Sequence, residues 1–310
     1  MNKEIILFFS LLTKITLINK NNDSYIYNFL LMFGTSYYLI NNFKLSLAIT
    51  LLYFLALTFI KYMNFNKNIN IGLYVIFLLI CYNINDYKWI IQNVELILYC
   101  CITYILLSFS EWIVHKYIMH CNKQSFIYHI ISFFDPAKII EETCDTHIQH
   151  HMEVKPDMNL KEVKYKKSLF MGWEIFIYLF FINLAILIIS RYISNVKINK
   201  YYLIIQSAIL VFLWSYLWNK VHPLMHNYNG EYTIKEGPYE NIISFKEINK
   251  LFYRNHQYHH LQKGHTKGNY NIIVFGADEW LNTNVKIVNN IEYCNNSKVL
   301  NEEICKDIKN

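Results

Sequence analysis

All twelve histidines of this 310-residue chain lie between His115 and His265, and ten fall into four short clusters: HKYIMH (115–120), HIQHH (147–151), HPLMH (222–226) and HQYHH (256–260). Imidazole is the commonest protein ligand for iron, copper and zinc, and so many neutral imidazoles match more than one metal ion. His147, His150 and His151 stand at i, i+3 and i+4, as do His256, His259 and His260, which puts three rings on one helical face. Two such triplets can face each other across a dinuclear site. His222 and His226 are i, i+4, and Pro223 between them predicts that the helix ends or restarts there. His115 and His120 are i, i+5 and diverge by about 140° on a regular α-helix. That pair requires a helix terminus, a widened turn or ligation to different metals. The candidate ligands are therefore His115, His120, His147, His150, His151, His222, His226, His256, His259 and His260. His129 and His265, outside the clusters, are expected near the site or on its substrate side.

A ligating imidazole usually gives its second N–H to an acceptor that fixes its orientation. Glu111 lies four residues before His115 in an apolar run, where a lone carboxylate is expensive, and is expected to play that part, as are Asp145, Asn255 and Asp278. A capping role at the membrane boundary is the plain alternative for Glu111. Cys121 and Cys144 flank clusters, but beside ten imidazoles no thiolate is needed. The seven cysteines, dispersed from Cys81 to Cys305 without paired spacing, predict no disulfide framework and a reducing compartment.

The elements that carry these residues are apolar. Hydrophobic residues make up 54% of the chain against 17% charged, with only 8 Gly and 4 Pro, and the mean hydropathy is positive. This composition describes an all-α integral membrane protein. The net charge of +6 is spread over scattered lysines, which excludes a nucleic-acid stripe and suits a membrane surface. Apolar runs predict spans near 27–40, 45–62, 71–85, 89–114, 169–190 and 201–221, of which the last three are long enough alone. The run Ile5 to Ile18, interrupted by Lys14, is expected as an interfacial helix or short span. Trp89, Trp112, Trp214 and Trp218 sit at span ends, as interfacial aromatic belts do. If the last three runs cross the membrane, all four clusters emerge on one side. Lys155, Lys161, Lys164, Lys166 and Lys167 on that side, against Arg191, Lys197 and Lys200 opposite, favour the cytosol.

The segments EWIVHKYIMH, DTHIQHH, HPLMH and NHQYHH, followed by KGHTKGNYNIIVFGADEWLNT, resemble the fatty acid hydroxylase and sterol desaturase superfamily of membrane di-metal oxygenases over roughly 89–283. The resemblance implies a four-helix transmembrane core (71–85, 89–114, 169–190 and 201–221) under a cytosolic helical cap. The ten histidines there would ligate two iron ions, with O2 as co-substrate; zinc can fill the same ligands in purified protein. Residues 1–70 would be an additional N-terminal membrane region, 71–283 the hydroxylase-like core and 284–310 a short polar tail. The implied activity is O2-dependent hydroxylation of a lipid acyl chain, free or within a ceramide, in the endoplasmic reticulum membrane. No haem-binding domain is recognisable in the sequence, so a separate electron donor is expected, a b-type cytochrome with its reductase. Departures from the family pattern are Lys116 where Arg is frequent, and intervals of 26 and 29 residues within the two halves. HKYIMH also resembles the first box of carotenoid ring hydroxylases, so a sterol or carotenoid oxidase or desaturase is the alternative. A non-catalytic metal-binding or transport protein is the alternative of another class, although transporters place ligands within spans near the midplane.

Overall fold

A computed structural model of the chain describes residues 3–19, 24–62, 67–84, 88–133, 135, 138–154, 158, 160, 173–194, 200–226, 246–261 and 268–284. Most of these residues are helical, and the only extended pairing among them is an isolated antiparallel bridge between Val154 and Leu160. The helices are α1 (Lys3–Asn19), α2 (Tyr25–Ile40), α3 (Phe43–Tyr62), α4 (Lys67–Tyr82), α5 (Lys88–Gln92), α6 (Val94–Ile113), α7 (Phe126–Phe133), α8 (Ile139–Glu153), α9 (Trp173–Ser194), α10 (Lys200–Met225), α11 (Lys246–Leu261) and α12 (Ala277–Trp280). A π-helical turn, Val114–Met119, continues α6. Among the described residues three helices are long and apolar enough to cross a membrane: Phe43–Lys61, Val94–Met119 and Leu203–Pro223. The chain is thus of membrane type.

Local chemistry sets several ends. The Ser24 hydroxyl accepts the Tyr27 N–H to start α2, and Asn41, in the left-handed region at φ 53°, closes it with its own N–H on the Tyr37 carbonyl. The expected run 89–114 is split at Asn93, whose side-chain amide donates to the Trp89 carbonyl at 2.8 Å. Contrary to expectation, Pro223 does not end its helix: α10 runs on to Met225, because a proline in the last turn costs few backbone hydrogen bonds.

Two compact units divide the chain, residues 1–106 with 190–198 and residues 107–189 with 199–310. In the first, α1 packs against α2 and α4 as part of a bundle rather than lying as an isolated interfacial helix. Polar groups join these helices: the Ser10 hydroxyl pairs with those of Thr35 (2.8 Å) and Tyr74 (2.5 Å), and buried Lys14 donates to the Asn28 side chain. In an apolar bundle such contacts set register, since a polar group without a partner there is costly.

The second unit packs Met119, Trp214, Trp218, Val221, Met225, Tyr253 and Ile272 to Val274 into one core. Trp112, Trp214 and Trp218 are buried in this unit, which corrects their assignment to an interfacial belt; Trp89 alone of the four is exposed. A second correction concerns the cysteines, because Cys121 and Cys144 form a disulfide that links the segment after the π turn to α8. Closing a loop of that separation stabilises the folded state by roughly 3 kcal/mol in the chain-entropy account.

The segment 269–283 docks on one face of the C-terminal half of α6 and the π turn, formed by Ser108, Glu111, Trp112 and His115. The Ser108 carbonyl accepts the Asn271 side-chain amide (2.8 Å), the Ser108 hydroxyl accepts the Ala277 N–H (2.8 Å), and the Trp112 indole N–H donates to the Thr283 hydroxyl (2.9 Å). Gly276 makes this approach possible: its φ of 146° is closed to most residues, and a Cβ there would stand 2.6 Å from the Trp280 ring. Gly276→Ala is therefore expected to destabilise the protein by about 2 kcal/mol, read as a lowered unfolding midpoint of the detergent-solubilised chain.

Candidate metal centre

All ten clustered histidines converge, and four elements deliver them. The π turn supplies His115 and His120, α8 supplies His147, His150 and His151, the end of α10 supplies His222 and His226, and α11 supplies His256, His259 and His260. The awkward i, i+5 pair is resolved by the widened turn: the His120 N–H reaches the His115 carbonyl at 3.2 Å, one residue beyond the α-helical partner. Both rings then share a face, with centroids 5.2 Å apart and nearly parallel planes.

The rings sort into two adjoining pockets. His115, His120, His147, His151 and His259 form the first, and His150, His222, His226 and His256 the second. His260 joins the second, its Nε2 lying 3.1 Å from that of His150 and 3.2 Å from that of His256. Each HxxHH triplet is thus divided. In α8 the i, i+4 pair His147 and His151 enters the first pocket and His150 the second, while in α11 the pair His256 and His260 enters the second pocket and His259 the first. The pockets meet where the His151 and His260 ring centroids approach to 4.2 Å.

Within each pocket, neighbouring Nε2 atoms are 2.8–3.3 Å apart. Two nitrogens bound at ~2.1 Å to one ion and 90–109° apart are separated by about 3.0–3.4 Å, so the spacing suits a shared cation. Protonation supports the same conclusion. His115 Nδ1 donates to the Tyr270 carbonyl (2.7 Å), His259 Nδ1 to the Gly268 carbonyl (2.9 Å) and His226 Nδ1 to the Met158 carbonyl (3.3 Å). A carbonyl only accepts, so the proton of each neutral ring sits on Nδ1 and the Nε2 lone pair faces inward. Burial, reinforced by neighbouring imidazoles, holds His147, His226, His256 and His260 well below the usual histidine range. Deprotonated, converging and buried imidazoles are a donor set for transition metals, and these buried clusters can bind a metal ion.

None of the four residues expected to orient the imidazoles does so directly. Glu111 is buried, but its carboxylate accepts the backbone N–H groups of Ile272 (2.8 Å), Ile273 (2.9 Å) and Val274 (2.8 Å). It fixes the strand-like segment whose Tyr270 carbonyl receives His115, and so acts on the imidazole one step removed. Asp278 accepts the Asn271 N–H (2.5 Å) and the Thr283 hydroxyl (2.6 Å), with burial pushing its carboxyl up to about 6. Asn255 donates to the Asn271 carbonyl at 2.7 Å, and Asp145 is exposed beside Cys144. The acceptors that meet His115, His226 and His259 are main-chain carbonyls, for which side-chain identity gives no signal. His129 is exposed on α7, apart from the clusters, and His265 lies outside the described residues. Lys116, at the position where arginine is frequent in the resembled family, lies over the Trp112 ring at 4.2 Å.

An apolar cleft of about 830 Å³ lies between α9 and α10, lined by Phe176, Phe180, Phe181, Val211 and Phe212, with Lys220 at its polar end. From its wall an aromatic series leads inward. Phe176 meets Trp214 at 5.6 Å, Trp214 meets Trp218 at 5.6 Å, and Trp218 stacks on His222 at 4.9 Å. Comparison with protein families, with curated proteins and with solved structures finds no match in any of the three.

The lowered histidine pKa values have a pH consequence. The folded chain keeps these rings neutral, whereas in the unfolded chain they protonate near 6.5, so the unfolded state takes up more protons as pH falls. Stability of chelator-stripped protein should be fullest above that value and fall below it, by up to about 1.4 kcal/mol per pH unit for each such ring. Unfolding midpoints at pH 7.5, 6.5 and 5.5 measure this, and a flat profile would contradict neutral burial.

Proposed function

We propose that the protein is a membrane di-metal monooxygenase that hydroxylates the acyl chain of a lipid, a fatty acid or ceramide, with O2 as co-substrate. The observation that carries this reading is the division of ten imidazoles into two adjoining pockets of five, with the Nε2 lone pairs of His115, His226 and His259 turned inward. Each pocket would hold one iron. Such a pair supplies the activation of dioxygen that no amino-acid side chain achieves on an unactivated C–H bond. The chain's own residues do the rest. The Tyr270, Gly268 and Met158 carbonyls hold the Nδ1 protons and so keep Nε2 free for metal. Trp218, which meets His115 and His222 and packs in one buried cluster with Val221, Met225 and Ile272, would shield the rings from bulk water. The cleft between α9 and α10 suits an extended hydrocarbon chain, and Lys220 suits a polar or acidic headgroup at its end.

In this reading α4, α6, α9 and α10 form the four-helix core, and the histidine clusters face the cytosol at the endoplasmic reticulum, where a separate b-type cytochrome delivers electrons. Among the described residues both pockets are built of imidazoles without a carboxylate, which differs from the Glu-rich soluble di-iron bundles. Ligand type alone also suits zinc, and the test below separates the two metals.

Purified protein should contain about two iron ions per chain, in line with one per pocket, and consume O2 when supplied with an electron donor. Lipid extracts of cells with and without the gene should differ in hydroxylated acyl chains. An altered sterol or pigment profile instead would support the alternative substrates, and zinc without turnover would overturn the oxygenase reading. His151→Ala and His260→Ala, at the junction of the pockets, should reduce turnover by at least about a hundredfold without preventing membrane insertion. His129→Ala should retain it.

A further inference from the structure

We propose that Cys121 and Cys144 form a reversible disulfide that clasps the two elements building the first histidine pocket, so that thiol–disulfide exchange at this pair sets how tightly that pocket keeps its metal. The inference rests on the metal-binding role assigned above to the histidines. Cys121 directly follows His120, and Cys144 lies one turn before His147 on the same α8. Their Cα atoms are 5.1 Å apart, within the span a disulfide bridges without moving backbone. The bond therefore joins the π turn, which carries His115 and His120, to the helix that carries His147 and His151. Four of the five imidazoles of the first pocket ride on these two elements. The second pocket draws only His150 from α8, its other four coming from α10 and α11. The clasp thus bears on one pocket far more than on the other.

Cys121 is held at φ 52°, a left-handed conformation that a residue with a Cβ keeps only when its surroundings impose it. Releasing the sulfur removes one of those restraints from the residue next to His120. Cys121 is partly exposed and Cys144 is fully buried, so an incoming thiolate meets the Cys121 sulfur first. A dithiol reductant attacks Cys121 Sγ, the Sγ–Sγ bond breaks, and Cys144 leaves as thiolate and takes up a proton. The second thiol of the reductant then displaces Cys121, closing the reductant's own disulfide, so that two electrons and two protons pass to the protein. Asp145 Oδ1, 3.9 Å from Cys144 Sγ, is placed to accept the S–H so formed. Reverse exchange with a disulfide oxidant restores the clasp. Disulfides exposed to a reducing cytosol are transient and regulatory rather than permanent, which fits a clasp of this kind on the side proposed for the histidines. Cys81, Cys100 and Cys101 are free thiols in the other unit and provide internal controls.

The test uses the full-length protein in detergent, loaded with zinc, so that no turnover is required. Without reductant, Cys121 and Cys144 should resist alkylation and appear as one linked peptide pair, while Cys100 alkylates. After treatment with a phosphine reductant both should alkylate, and one of the two zinc ions should pass to a chelator at least about tenfold faster, the other unchanged. The Cys121→Ser, Cys144→Ser double variant should lose that zinc at the fast rate with or without phosphine. Free alkylation of both cysteines in the oxidised protein, equal zinc release in both states, or a third zinc bound by the reduced pair would each overturn the clasp while leaving the metal centre intact. Failure to take up zinc at all would overturn the metal reading and this inference with it.

Discussion

Ten imidazoles are crowded Nε2 to Nε2, and three of them, His115, His226 and His259, turn lone pairs inward that repel; the structure around them is arranged to prevent their escape. Nε2 atoms about 3 Å apart cannot all be paired by hydrogen bonds when Nδ1 already carries the proton, as the carbonyls facing His115, His226 and His259 require. Burial removes the other way out, protonation, at His147, His226, His256 and His260. What relieves such an arrangement is positive charge at its centre. A cation between the rings would convert this repulsion into binding free energy, and the packed helices hold the rings in place for it.

That rigidity comes from irregular backbone as much as from helices. The π turn at Val114–Met119 aims both rings of an i, i+5 pair into one pocket. The segment 268–276, neither helix nor sheet, would leave unsatisfied N–H groups in an apolar core had Glu111 not taken three of them. One buried carboxylate thus permits a loop to run where regular structure would be obligatory, and that loop presents the Tyr270 carbonyl to His115. A carboxyl that looked costly in an apolar run meets three main-chain donors there.

Much of this was legible in the residues. The four clusters and their helical spacing identified every ring that the fold brings together, and the apolar runs located the long helices to within a few residues. The split of each HxxHH triplet between two pockets was not legible, because i, i+3 and i+4 positions share a face and only the partner helix decides which ring turns which way. The partners of His115, His226 and His259 were missed for a different reason: sequence reasoning looked for carboxylates and amides, and these rings meet main-chain carbonyls. Trp112, Trp214 and Trp218 were misplaced because a tryptophan at a span end reads the same whether it meets lipid headgroups or is buried among neighbouring side chains. The Cys121–Cys144 link did carry a signal. Each cysteine is within three residues of a clustered histidine, so convergence of the histidines already implies that of the sulfurs.

The bracket between Glu111 and Ile272 to Val274 joins positions more than 160 residues apart. During synthesis the N-terminal helices and the first two clusters leave the ribosome long before the segment that completes the bracket exists. His115 thus lacks its main-chain acceptor until Tyr270 has been made, and contacts of such separation close late. A cation held by the full set of imidazoles can be enclosed only after His256 to Tyr270 have emerged, which sets the earliest moment at which such a pocket closes.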